Sequence, residues 1–399
     1  MATKVNRAGN QQPYVPAGNG DASGEYADSA YGNVHHKAPE DTHENKGENI
    51  VITQKPKTEN KESKDNKEHS NISEYLNTHS VMSKEAKQRA EKDIALGKEE
   101  SQKILYNALK KGNYTFSSGK SSYYRNADGN VSLSKADMES ELREEGEVFW
   151  HENGHLIDYS DSKFEFGTPS SSQTYSVKYR SKEDGKTLFE SVYEEGQKFA
   201  KDKNILEEIY KDKDEIYKKY ELKLGFDQEE YDKITQKAQE FSELVEKDER
   251  VVKARQELNN VSFSDYENFS KKRDNFYNIV NEVRNEVENS DEFKSATSRQ
   301  SELMTLKYRA KFEAQKEYVK KYSSLSDMLD AATKGRRNLE AGSHGSRYWK
   351  GSQYAQAHEF FAEAFSAYSR DAEEYKIMKK YFPRTTEIFE EIIGELKNG

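Results

Sequence analysis

The chemistry in this chain gathers first at His151-Glu152-Asn153-Gly154-His155. Two imidazoles four residues apart fall on one face of a helix, at a separation that lets both grip a single divalent metal, and Glu152 lies beside them. A metal held by three protein ligands keeps one position for water and lowers the pKa of that water to about 7. The neighbouring carboxylate can then take the proton as the oxygen attacks a carbonyl. The pattern therefore points to metal-assisted hydrolysis of a peptide bond. Gly154 costs roughly 1 kcal/mol of helix propensity relative to Ala, which suggests that a small residue is required between the ligands, as at a crowded metal site.

The sequence contains no cysteine, so thiolate ligands, disulfides and a cysteine nucleophile are excluded and any metal must be held by histidine and carboxylate. A second segment supplies carboxylates at helical spacing. In His358-Glu359-Phe360-Phe361-Ala362-Glu363-Ala364-Phe365 the two glutamates are four apart and share a face, so either could complete the site. His358 is a further ligand candidate, but adjacent helical positions point about 100 degrees apart. Phe360, Phe361 and Phe365 are expected to pack the core, as is Trp150. His35, His36, His43 and His69 lie in a polar tract and read as solvated side chains.

Several elements must position these residues. Apolar residues at helical spacing predict a helix over 83–111, stopped by Gly112. Tyr114, Phe116, Tyr123 and Tyr124 before Asp128-Gly129, with Val131 and Leu133 after it, read as two strands joined by a tight turn. Ser134 or Asp137 can cap the following helix, which carries the paired histidines. From 189 to 325 the pattern is charged, amphipathic and helical, with punctuation at Gly225 before an Asp227/Glu230 capping pair and near Asn259-Asn260 before a Ser264/Glu267 pair. Three or four coiled-coil-like helices in an elongated hairpin or bundle are expected there. After 325, glycine-bearing loop sequence precedes a helical region starting near Gln353.

Composition bounds the rest. With 33% hydrophobic and 34% charged residues, the chain cannot build a dense core along its whole length, and 1–70 reads as a disordered leader. Interspersed charges with a net of -10 form no basic patch, so nucleic acid is not an expected partner. Neither a secretory signal nor a membrane-spanning stretch is visible, which points to the cytoplasm of the producing cell, with a virion or a host cell as delivered destinations.

His151 to Tyr159 (HENGHLIDY) together with Glu359 to Phe365 (EFFAEAF) resembles the active site of the anthrax lethal factor family of metallopeptidases. In that family HExGH is followed three residues later by Asp, and the first glutamate of EFFAEAF is the third zinc ligand. The resemblance implies Zn2+ held by His151, His155 and Glu359, Glu152 as general base, and Glu363 or Asp158 as outer support. It also implies an α+β zincin-like domain, mostly helical with a small antiparallel sheet. The long interval between His155 and Glu359 implies that 189–325 is an insertion whose ends return to the site, dividing the domain into 71–188 and 326–399. Where the family places a tyrosine before its ligand glutamate this chain has Ser352, so Tyr348, Tyr354 and His344 are the candidates for stabilising the transition state. The segments Leu325 to Asp330 (LSDMLD) and Ser343 to Trp349 (SHGSRYW), and the leader sequence Gln12 to Gly20, are similar to zincin-like proteins of phage heads and mobile elements. The expected function is thus a phage- or mobile-element-encoded zinc endopeptidase. Its partners would be a protein or peptide substrate and a virion or other protein held by the helical insertion. A non-catalytic phage structural or injected protein and a delivered toxin peptidase are the other readings; intact Glu152 favours an enzyme.

Overall fold

The computed structural model describes residues 67–162, 164–165 and 168–398. Almost all of the expected leader lies outside these residues. Its last positions open α1 (Lys67–Thr78). The helix expected over 83–111 is two helices, α2 (Lys84–Leu96) and α3 (Glu99–Leu109). Ser83 caps α2 by accepting from the Ala86 amide. At the break stands Gly97, where a Cβ would lie 2.0 Å from the Trp150 ring, so only glycine fits. The Gln102 side-chain amide spans the break, donating to the carbonyls of Ile94 and Gly97 at 3.1 and 2.8 Å.

Three strands follow, β1 (Thr115–Gly119), β2 (Tyr123–Arg125) and β3 (Asn130–Ser134), in the order β1-β3-β2. Only β2 and β3 form the expected hairpin around Asp128-Gly129; β1 pairs with β3 in parallel, Phe116 opposite Val131. The sheet is therefore mixed rather than antiparallel. The segment before the turn, expected as one strand, is divided at 120–122, and its first half pairs on the far side of β3.

Ser134 caps a single-turn α4 (Lys135–Met138), while α5 (Glu147–Tyr159) starts separately after Gly146 at φ +81. A short hairpin, β4 (Phe164–Glu165) and β5 (Thr168–Pro169), and α6 (Tyr175–Lys178) lead to α7 (Leu188–Lys201), which opens with a Thr187/Glu190 capping box. Then come α8 (Lys203–Leu224), α9 (Gln228–Lys247), α10 (Glu249–Asn259), α11 (Tyr266–Glu288) and the long α12 (Asp291–Ala332). Asp227 caps α9 as the sequence suggested, but Asp265 rather than Ser264 caps α11. At 42 residues, α12 extends about 63 Å at 1.5 Å per residue. The chain closes with α13 (Gly345–Gly351), α14 (Ala355–Arg370), α15 (Glu373–Tyr381) and α16 (Pro383–Asn398).

One large core joins α1–α3, the sheet, α5, α7, the start of α8, the end of α12 and α14–α16, around Trp150, Phe360, Phe361, Phe365 and Phe389. A separate small cluster of Val245, Val251, Val280 and Val283 lies far out on the arm formed by α9–α11. The boundaries expected at 189 and 325 therefore fall inside helices of the main core. The architecture is α+β, mostly helical, and among the described residues no helix is long and apolar enough to cross a membrane.

Candidate metal centre and cleft

The site is made by α5 lying against α14. A Cβ on Gly154 would stand 2.8 Å from the Ala362 Cα and 3.1 Å from its carbonyl oxygen. Gly154 is thus required by a close helix crossing rather than by crowding at a metal, and Ala362 is the small residue facing it. The Ser366 hydroxyl, donating to the Glu147 carbonyl at 2.9 Å, ties the same two helices together.

This crossing sets His151, His155 and Glu359 within reach of one another, with one ligand atom of each lying no more than 4.8 Å from the others. Glu359 Oε2 is 3.6 Å from His151 Nε2, and its Oε1 is 3.5 Å from His155 Nε2. Two imidazole nitrogens and a carboxylate converging in a buried position suit a divalent metal, and the set matches the two-histidine, one-glutamate ligation found at catalytic zinc sites. Of the two glutamates on this face, Glu359 meets both Nε2 atoms. Glu363 instead lies behind, 3.2 Å from His151 Nδ1. Without a metal, burial would lower the basicity of His151, but the carboxylates of Glu363, Glu152 and Glu359 outweigh it and raise its pKa. The reciprocal holds for Glu363: burial works to raise it, yet His151, Ser324 and Arg143 together hold it below the usual carboxylate range.

A cleft of about 170 Å³ opens in front of these residues, lined by Glu152, His155 and Glu359, by Tyr348 and His358, and by Tyr123 and Tyr124 of the edge strand β2. The Tyr348 hydroxyl donates to Glu359 Oε1. The His344 ring stacks on Tyr348 with centroids 4.4 Å apart, and its Nε2 is 3.6 Å from Glu359 Oε2 and 3.5 Å from Asp327 Oδ2. Tyr348 and His344 are thus brought to the site. Tyr354 is not among the residues lining the cleft; its ring packs edge-on against Phe189 at 5.1 Å, and its carbonyl accepts from the amides of Ala357 and His358 in the first turn of α14. Asp158 is buried and holds His358, not a ligand imidazole. Its Oδ2 is 2.8 Å from His358 Nδ1, and it accepts the Ser176 amide and hydroxyl at 2.7 Å each.

Other residues escaped the sequence reading. Asp330 accepts from Trp349 Nε1 at 2.7 Å and from the Gly345 amide at 2.9 Å, pinning α13, and with it Tyr348, to α12. Ser324 and Glu374 extend the polar chain behind His151. The available signal was Ser323, Ser324, Ser326, Asp327 and Asp330 interleaved with apolar residues in one buried stretch of α12, since polar groups in a core must find partners.

No family model matches the chain, and neither a curated protein nor a solved structure matches it.

Proposed function

We propose that this protein is a zinc-dependent endopeptidase of the gluzincin class, with a zincin-like catalytic domain and metal ligands His151, His155 and Glu359. One observation carries the reading: Glu359, remote in sequence, sits against both histidine Nε2 atoms, with Glu152 on the same cleft wall. Bound there, zinc would act as a Lewis acid on the scissile carbonyl and make water acidic enough to attack near neutral pH. Glu152 accepts the proton of the attacking water and returns it to the leaving amine. Tyr348, on the cleft wall, would turn its hydroxyl from Glu359 to donate to the oxyanion that develops on the carbonyl. His151 keeps Nε2 for the metal because Nδ1 faces Glu363, an outer contact of the kind that orients ligand imidazoles. Tyr123 and Tyr124 give the opposite wall an aromatic surface for substrate side chains.

The phage or mobile-element origin rests on Leu325 to Asp330 and Ser343 to Trp349, two segments that Asp330 joins in space. The arm supports the second reading, a structural or injected protein that keeps the fold. Together with the adjoining parts of α8 and α12 it exposes large apolar side chains at Leu222, Phe263, Tyr266 and Tyr308, as a surface used for assembly with another protein would.

The separating experiment profiles cleavage of a bacterial lysate by zinc-loaded wild type and Glu152→Gln. The enzyme reading expects cleavage products from wild type only, with equal zinc in both proteins. Identical product sets from the two would remove Glu152 from the mechanism, and no products from either would favour the structural role.

A further inference from the structure

Beside the metal centre three buried polar residues from three helices meet: Asp158 near the end of α5, Ser176 in α6 and His358 in the first turn of α14. Asp158 Oδ1 accepts the Ser176 amide and Oδ2 the Ser176 hydroxyl, each at 2.7 Å, and Oδ2 also lies 2.8 Å from His358 Nδ1. Ser176 Oγ, its proton given to Asp158, turns a lone pair to the same Nδ1 at 3.2 Å. Two acceptors thus face Nδ1, so the proton sits on that nitrogen, and the imidazole tautomer that results carries its lone pair on Nε2.

Among the described residues His358 Nε2 has no hydrogen-bond partner, although the residue is only 6% exposed. Leaving a buried acceptor unmet costs stability, and a residue kept only to brace Asp158 has no need of it, because asparagine offers a donor like Nδ1 without the second nitrogen. The ring also lies where a bound peptide would pass. His358 lines the cleft together with Glu152, His155 and Glu359, and its ring sits 5.0 Å from that of Tyr159, another lining residue. Asp158 does not line the cleft and grips the Nδ1 side from behind, so Nε2 is the polar atom that the ring has left to offer there.

We propose that His358 Nε2 accepts a hydrogen bond from a main-chain N–H of the bound peptide, with Asp158 and Ser176 holding the ring and its tautomer. A peptide entering the cleft gives up water at its amide groups and must find protein acceptors for them. An acceptor fixed in advance, on a ring anchored to a carboxylate that two further hydrogen bonds hold, spends little ordering entropy on binding. His358 stands one position before Glu359, about 100 degrees round α14, so it meets the chain that runs past the metal rather than the metal itself. The inference rests on the reading of this cleft as the site of a zinc peptidase.

The test uses the full chain, zinc-loaded, as wild type and His358→Asn. The probe is a phosphinic hexapeptide, with leucine on either side of the phosphinate that replaces the scissile bond and alanine elsewhere, together with analogues N-methylated at one amide at a time; binding is measured by calorimetry. Asparagine can still donate to Asp158, so His358→Asn should keep the wild-type zinc affinity and bind the parent probe about tenfold more weakly, the loss of one hydrogen bond. One of the N-methylations should weaken binding to wild type by about tenfold and leave binding to His358→Asn unchanged, since the same contact is then removed from either side. Equal effects of every N-methylation on the two proteins, or wild-type affinity of His358→Asn for the parent probe, would overturn the proposal. Should His358→Asn not fold, a crystal structure of wild type with the probe decides: a peptide nitrogen within hydrogen-bonding distance of Nε2 is expected, and an Nε2 that meets no peptide nitrogen refutes it. Failure of wild type to bind zinc would instead remove the metal-centre reading, and this proposal with it.

Discussion

Helix α5 and the arm helices α9–α11 follow the same helical periodicity and bury their residues in opposite ways. Along α5 every position from Glu147 to Asp158 is buried except His155, polar side chains included. By contrast α9 buries only Phe241 and Val245, and α11 only Val280 and Val283. A narrow apolar stripe is enough to hold helices side by side, whereas a helix surrounded on all sides must find a partner for every polar group it carries. In α5 those partners are the machinery of the site: Glu359 and Glu363 for His151, and His358 for Asp158. Charges on the arm sit at the surface, as in the Lys233–Glu229 pair, where both side chains are exposed; pairs of this kind contribute little. The region that carries the candidate site is thus also the region where loss of packing should cost most.

The sharpest way to break this contrast is to cut a large side chain in each region. Trp150 is fully buried and its Nε1 donates to the Asp93 carbonyl at 2.9 Å, so Trp150→Ala should cost about 3–5 kcal/mol in denaturant unfolding. Phe263 on the arm is 75% exposed, and Phe263→Ala should change stability by less than about 0.5 kcal/mol. Equal losses would erase the distinction.

Helical glycines give a test of sign. Adding a methyl at Gly154 drives it into the backbone of Ala362, so Gly154→Ala should destabilise by about 1–3 kcal/mol in spite of its better helix propensity. A Cβ on Gly394 in α16 meets nothing within 4 Å, so Gly394→Ala should stabilise by up to about 1 kcal/mol. Stabilisation by both would show that α5 and α14 are not held at that distance.

A smaller effect appears with pH. Burial pushes the Asp93 carboxyl up to about 6, only partly opposed by Arg89. Because its folded pKa lies above its unfolded value, the group favours folding most below pH about 4, and that contribution is lost as pH rises through about 6. Asp93→Asn should flatten this part of the stability profile between pH 4 and 7. An unchanged slope would mean that Asp93 titrates normally.

The sequence displayed the site better than the scaffold. Two histidines four apart and two glutamates four apart state their shared faces directly, and α5 and α14 do bring His151, His155 and Glu359 together. What it hid depends on neighbours remote along the chain. The Trp150 ring leaves no room for a side chain at Gly97, and β1 takes a parallel partner in β3. Neither cause has a local signature. Asp158 lies three residues beyond His155, one helical turn on, and looked like support for a ligand; the loop leading into α6 brings Ser176 to it and α14 brings His358, so it holds those instead. The end of α12 carries the same spacing as the arm, and only the unbroken run of buried residues from Tyr322 to Ala331 marks it as core. What separates Tyr348 from Tyr354 is the contact of α13 with Asp330, a residue remote from both along the sequence.

The measurement that bears most directly on the metal centre is the zinc dissociation constant of Glu359→Ala beside that of Glu363→Ala, by chelator competition in the full-length protein. Wild type should carry about one zinc. Removal of Glu359 would take away one of the three proposed ligands and should weaken binding far more than removal of Glu363, whose outer contact with His151 is expected to contribute about 10–100-fold. The reverse order, or undiminished zinc in Glu359→Ala, would contradict the assignment of Glu359 as the third ligand.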